Sequence, residues 1–173
     1  MDTSKIIELV SYTLPALVTG AVALYFFKLH TNNENSRRIF MLRKEKQSVA
    51  LPLRLQAYER MALFLERISP NNLVVRVSPT GKEKPEYFRK LLATVEKEFE
   101  HNLAQQIYMT SECWHVIVTA KNTTLNMMKD VMLDGEIKEA IQMREAILRK
   151  MSEEEPPTKI ALEYIKKEVS KIF

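Results

Sequence analysis

The sequence predicts an all-α protein, with one N-terminal transmembrane helix followed by a cytoplasmic antiparallel helical bundle. Three observations carry that expectation. Leu9 to Phe27 is an uncharged run of nineteen residues. Apolar residues recur at three- and four-residue spacing through most of the chain beyond it. The one β-like segment, Leu73 to Val77, has no second strand to pair with. The expected divisions are an anchor over residues 1–30, a basic juxtamembrane helix or stalk over 31–50 and a cytoplasmic helical domain over 51–173.

As a helix the Leu9–Phe27 run spans about 28 Å, close to the hydrocarbon thickness of a bilayer. Tyr12 and Tyr25 lie near its ends, where amphipathic rings favour the interface. Pro15 disfavours a soluble helix, whereas membrane helices tolerate proline better. Ala21-Val22-Ala23 resembles a signal-peptide cleavage site. Against cleavage stand the acids Asp2 and Glu8 before the run, the apolar Leu-Tyr-Phe-Phe beyond the cut and the basic block after it. Ala16, Thr19, Gly20 and Ala23 fall on one face of this helix, and a small-xxx-small pair such as Ala16 and Gly20 lets another helix approach closely in lipid.

The net charge is +4, and Lys28 to Lys46 alone holds six basic residues against two acids, an excess equal to that of the whole chain. Basic flanks are retained in the cytoplasm, so the N-terminus is expected outside and the C-terminal domain inside. Arg37, Arg38, Arg43, Lys44 and Lys46 serve as topology signals and suit anionic lipid headgroups. With the rest of the chain neutral, and Phe40 the one aromatic interleaved in the block, no nucleic-acid partner is expected.

Pro52 is expected to interrupt the basic helix. Beyond it Leu51, Leu55, Tyr58, Ala62 and Leu65 mark one helix face, and the stretch SPNNLVVRVSPTGKEKP reads as a loop. Pro85 opens a helix whose stripe is Phe88, Leu92, Val95, Phe99 and Leu103. Thr110 or Ser111 caps the next, with Trp114, Val118, Leu125, Met128 and Met132 inward and an end near Gly135. A shorter helix carries Ile137, Ile141, Ile147 and Met151. SEEEPP breaks it, and Ala161, Ile165, Val169 and Ile172 mark the last. Short connections favour antiparallel neighbours.

The candidate chemistry is thin. The single Cys113 excludes an intramolecular disulfide, and three scattered glycines cannot build a phosphate-cradling loop. Glu-x-x-His occurs twice, as Glu98–His101 and Glu112–His115, the spacing that di-iron bundles use. On a helix with Phe88 at zero, His101 falls at about 220° and Glu98 at about 280°; with Trp114 at zero, His115 falls near 100° and Glu112 near 160°. These are flank and surface positions. Cys113 and His115 diverge by about 200° on one helix and cannot act as a nucleophile–base pair. No catalytic, cofactor-binding or metal-ligating residue is expected.

The stretches ELVSYTLPALVTG, LPLRLQAYERMALFLERI, EFEHNLAQQIYM and ECWHVIVTAKN resemble an uncharacterised Bacteroidota family of small single-pass inner-membrane proteins with a helical cytoplasmic domain. The resemblance covers essentially the whole chain and implies a bacterial inner-membrane protein; it carries no functional residues. The expected function is a membrane-anchored, non-enzymatic adaptor or accessory subunit of an inner-membrane complex. Its partners would be membrane lipid and other membrane subunits or a further copy in a homo-oligomer. The alternatives are a metal-dependent enzyme using the Glu-x-x-His residues and a self-assembling membrane structural protein.

Overall fold

The computed structural model describes the backbone of residues 3–172, and their side chains except at 3–10, 16, 32, 33, 35, 36, 43 and 46–49. Every described element is helical: α1 Thr3–Ile68, α2 Pro70–Arg76, α3 Lys84–Asn102, a 3₁₀ turn Leu103–Tyr108, α4 Ser111–Leu133, α5 Ala140–Glu153 and α6 Pro157–Val169. The chain divides into two compact units, Met1–Ala50 and Leu51–Phe173.

In the first unit, α1 carries Ser11–Thr31, a stretch long and apolar enough by length and composition to cross a bilayer. Its side chains are exposed: Tyr12, Leu17, Leu24, Tyr25, Phe26 and Phe27 each keep at least 65 % of their surface open. The stretch includes Lys28, which lies within one turn of its end, where a long side chain can lift its charge to the interface. Two threonines return their hydroxyls to the backbone, Thr19 Oγ1 donating to the Pro15 carbonyl at 2.8 Å and Thr31 Oγ1 to the Phe27 carbonyl at 2.9 Å. Those bonds satisfy polar groups that lipid would not.

In the second unit the core forms where six helices bring their apolar faces together. The end of α1 contributes Ala57, Tyr58, Met61, Phe64, Leu65 and Ile68, all at 2 % exposure or less. Contrary to expectation Pro52 does not end the helix, which runs through it. Proline removes one backbone donor and crowds the preceding turn; here its ring is exposed, and the buried row from Ala57 onward holds the helix together.

A second correction concerns the loop after α1. Its first half is the helix α2, not an extended piece: Pro70 stands in the first turn, and Leu73 and Val74 are fully buried. Adjacent buried residues, which on a strand would face opposite ways, share a flank of this short helix, and α2 packs on α5.

The stripes of α3 and α4 are also displaced. The buried rows are Tyr87, Leu91 and Val95 on α3, and Cys113, Ile117, Ala120, Lys121, Thr124, Met127, Met128 and Val131 on α4. Phe88, Phe99 and Trp114 flank them and are partly buried; Leu103 has left the helix for the 3₁₀ turn and is exposed. Phe64, Phe99 and Trp114 join in a run of rings, with centroids 5.7 and 5.5 Å apart. Thr110 caps α4, its Oγ1 accepting from the Cys113 N–H at 3.2 Å. On α5 the inward residues are Ala140, Met143, Ile147 and Met151, with Ile141 turned outward, and on α6 they are Thr158, Ala161 and Ile165. Two loops distant in sequence are stitched together, the Ala140 N–H donating to the Lys82 carbonyl at 2.8 Å and Lys84 Nζ to the Asp134 carbonyl at 2.7 Å.

Candidate functional site: a cationic groove and a partly buried carboxylate

The exposed flanks of α1 and α3 enclose an open groove of about 960 Å³. Arg60 and Arg67 stand on its α1 wall, Lys90 and Lys97 on its α3 wall, and Arg76 joins them from the end of α2. A seven-residue separation returns a helix to nearly the same angle, so each pair shares one face two turns apart. The groove also holds Leu63, Val77 and Ala93. Its one acid is Glu98, which pairs with Arg67 Nη2 at 2.6 Å and Arg76 Nη1 at 3.4 Å. The Arg76 guanidinium also donates to the Arg67 carbonyl at 3.2 Å, and Lys90 Nζ to the Ser78 carbonyl at 3.1 Å. Among the described residues Arg60 and Lys97 find no ion-pair partner.

Glu98 is therefore a half-buried counter-ion and not a solvated charge on the flank. The true centre of the α3 core face lies about 60° from Phe88, toward Leu91, which brings Glu98 close to it. His101, at the rim, bonds through Nδ1 to the Lys97 carbonyl at 2.7 Å; since a carbonyl only accepts, Nδ1 carries the proton. Glu112 and His115 are both exposed near the start of α4. Among the described residues no three His, Cys, Asp or Glu side chains are grouped to hold a metal.

A second polar cluster lies inside the helical unit. Tyr58 donates to Glu168 Oε1 at 2.9 Å; Arg54 reaches the Tyr58 hydroxyl at 3.4 Å and, through Nε, the Tyr108 carbonyl at 3.2 Å. Glu168 Oε2 is buried, and no hydrogen bond of good geometry reaches it. Burial acts to raise this carboxyl, but the Thr110 hydroxyl, the Cys113 thiol and the Tyr58 hydroxyl together outweigh it and hold it below the usual carboxylate range. Burial, reinforced by the Glu168 charge, pushes the Cys113 thiol far up, and burial likewise raises Tyr58. A protonated, fully buried thiol is neither nucleophile nor ligand, and it does not meet the exposed His115. The cluster ties α1, the 3₁₀ turn, α4 and α6 together.

The carboxylate at its centre makes stability depend on pH. Because the folded carboxyl titrates below its ordinary value of 4.5, the stability it contributes is complete above that value and is lost as pH falls through the folded one. Glu168→Gln is expected to flatten the acid limb of a stability–pH curve measured by urea denaturation; an unchanged limb would place the acid sensitivity elsewhere.

The residues anticipated from sequence in the first unit are described by themselves. Thr19, Gly20 and Ala23 are exposed on α1, and a Cβ added at Gly20 meets nothing within 4 Å. Arg37, Arg38 and Lys44 are exposed, Arg37 approaching Glu34 at 3.9 Å. The side chains of Ala16, Arg43 and Lys46 lie outside the described residues. The groove itself escaped sequence reasoning because its cations come from three helices in a stretch whose charges nearly cancel. The seven-residue spacing of Arg60 with Arg67 and Lys90 with Lys97 was the available signal.

No curated protein and no solved structure matches the chain. A family model described as a family of unknown function (DUF7935) matches residues 4–172, and the chain belongs to that family.

Proposed function

We propose that this protein is a membrane-anchored, non-enzymatic adaptor or accessory subunit of an inner-membrane complex. The observation that carries the reading is Ser11–Thr31, apolar, of spanning length and exposed along its whole described surface. The basic residues Arg37, Arg38, Arg43, Lys44 and Lys46 lie just beyond it and favour an N-terminus outside, a cytoplasmic helical unit and contact with anionic headgroups, while the short connections between its helices favour an antiparallel bundle. The helical unit offers an open surface groove and keeps its one thiol buried and protonated, features that suit docking better than turnover. The metal-enzyme alternative is weakened by Glu98, whose carboxylate is already held between Arg67 and Arg76.

Ala16, Thr19, Gly20 and Ala23 are the proposed contact for another membrane helix. Since a side chain at Gly20 has open space around it, Gly20→Ile is expected to insert and fold normally yet lose most of its co-purifying membrane partner, while Val18→Ile on the opposite face keeps it. The same membranes test the anchor. An engineered cysteine at Thr3 should be labelled by an impermeant thiol reagent from outside, and one at Lys82 only after the membrane is opened. Labelling at Lys82 from outside, or recovery of the chain in the soluble fraction, refutes the proposed placement.

A further inference from the structure

We propose that the groove between α1 and α3 receives an acidic amphipathic helix of another protein, with carboxylates two turns apart and an apolar residue between them. The inference deepens the adaptor reading by giving the docked partner its chemistry. Charge is the first ground. The groove gathers Arg60, Arg67, Arg76, Lys90 and Lys97 against Glu98 alone, although the helical unit as a whole carries a net charge of only +1. Like charges crowded along a concave surface raise the local potential and draw a counter-charged partner. Glu98 is already occupied by Arg67 and Arg76, and Arg60 and Lys97 have no ion pair among the described residues, so two cations on facing walls stand ready.

Spacing is the second ground. Arg60 to Arg67 and Lys90 to Lys97 each rise about 10 Å along their helices. That rise equals the separation of positions i and i+7 on an incoming helix, whose carboxylates then meet cations from both walls. Leu63 lies between the two arginines at 57 % exposure, placed to meet an apolar residue one turn into the partner. Ala93 and Thr94 are the small residues between the two lysines, and they leave the floor open.

Other anionic partners fit less well. Of the two aromatic rings in the groove, Phe64 is buried at 1 % exposure and only His101, tied at the rim to the Lys97 carbonyl, is open, and a single ring is no platform for successive bases. A planar bilayer cannot follow a floor recessed between two helices. A small anion would stay mostly in water in a groove this open, whereas ligand pockets enclose most of what they bind.

The test uses the full chain in micelles of an uncharged detergent and a fluorescent synthetic helical peptide with Glu at i and i+7 and Leu at i+3. Anisotropy should report saturable binding that weakens with added salt, and a peptide of the same composition in scrambled order should bind at least about tenfold more weakly. The scrambled peptide experiences the same general attraction to the basic segment near Arg37, so the difference isolates pattern. The double variant Arg60→Glu/Lys97→Glu should lose the patterned peptide by about tenfold or more, and a peptide with Lys in place of Glu should regain it. Both residues are exposed, and circular dichroism checks that the helices persist; Arg60→Ala/Lys97→Ala replaces the reversal should it unfold. Equal binding of patterned and scrambled peptides overturns the proposal, as does a reversal without effect. So does a phosphatidylglycerol vesicle or a single-stranded oligonucleotide whose binding is lost in the double variant while the peptide's is not. If peptide binding fails while the chain keeps its anchor and membrane partner, the groove inference alone falls. A chain recovered as soluble removes the adaptor reading without touching a result measured in micelles.

Discussion

Truncating Phe64 to alanine is expected to destabilise the helical unit by about 4 kcal/mol, the cost of removing a large buried ring and leaving most of its volume empty. Phe64 is 1 % exposed and sits where α1 meets α3, its ring tilted by 48° against Phe99. Phe99 in turn stacks on Trp114 of α4 at 24°, so one truncation loosens three helices. A domain of this size has about 5–15 kcal/mol in total, and the variant should therefore melt far below the original protein. Phe64→Leu, which retains more volume, should cost about 1–2 kcal/mol. Thermal denaturation followed by far-ultraviolet circular dichroism reads both. A Phe64→Ala melt no lower than that of Leu63→Ala, an exposed neighbour, would contradict the packing described.

The second large effect is expected at Glu96. Lys121 lies in the core-facing row of α4 at 8 % exposure, its ammonium 2.8 and 3.0 Å from the two oxygens of Glu96 and 4.5 Å from the centre of the Phe99 ring. Removing the carboxylate strands a cation in a poorly solvated place. The loss for a fully buried pair is about 3–5 kcal/mol. The Glu96 side chain is 40 % exposed, so water reaches the vacated site and the expected loss falls to about 2 kcal/mol. Lys121→Met keeps the stem's packing and removes the charge, and should be nearly neutral. Adding it to Glu96→Ala should restore most of the stability. A double-mutant cycle by urea denaturation measures the coupling; additive single effects would mean that the pair is solvated and contributes nothing.

Helices were legible in the sequence because burying one side of a helix imposes a three- and four-residue rhythm, and that rhythm is strong from Leu51 to Leu65 and from Ala161 to Ile172. What the rhythm hid was its own centre. The large rings of Phe88, Phe99 and Trp114 drew the eye, yet rings reach sideways and pack from a flank. The buried rows hold Leu91, Cys113 and Thr124, with Lys121 at their edge, and the last two look like surface residues until Glu96 and the neighbouring helices are in place. The α2 helix was hidden for a different reason: Val74, Val75 and Val77 favour extended backbone locally, and packing against α5 decides otherwise. The groove was least legible of all. A net charge near zero over a stretch says nothing about how its charges are sorted around a folded surface.

The bond from Tyr58 to Glu168 closes a separation of 110 residues, and it has a consequence for the order of events during synthesis. At about 5–20 residues per second the ribosome needs roughly 5–20 s to travel from one to the other. Well before that interval ends Ser11–Thr31 has emerged, while Tyr58, Met61, Phe64 and Leu65 wait for the helices that will cover them. An apolar N-terminal segment is thus free to be recognised by targeting machinery before its own domain can close, and the half-made core behind it is a natural client for a nascent-chain chaperone.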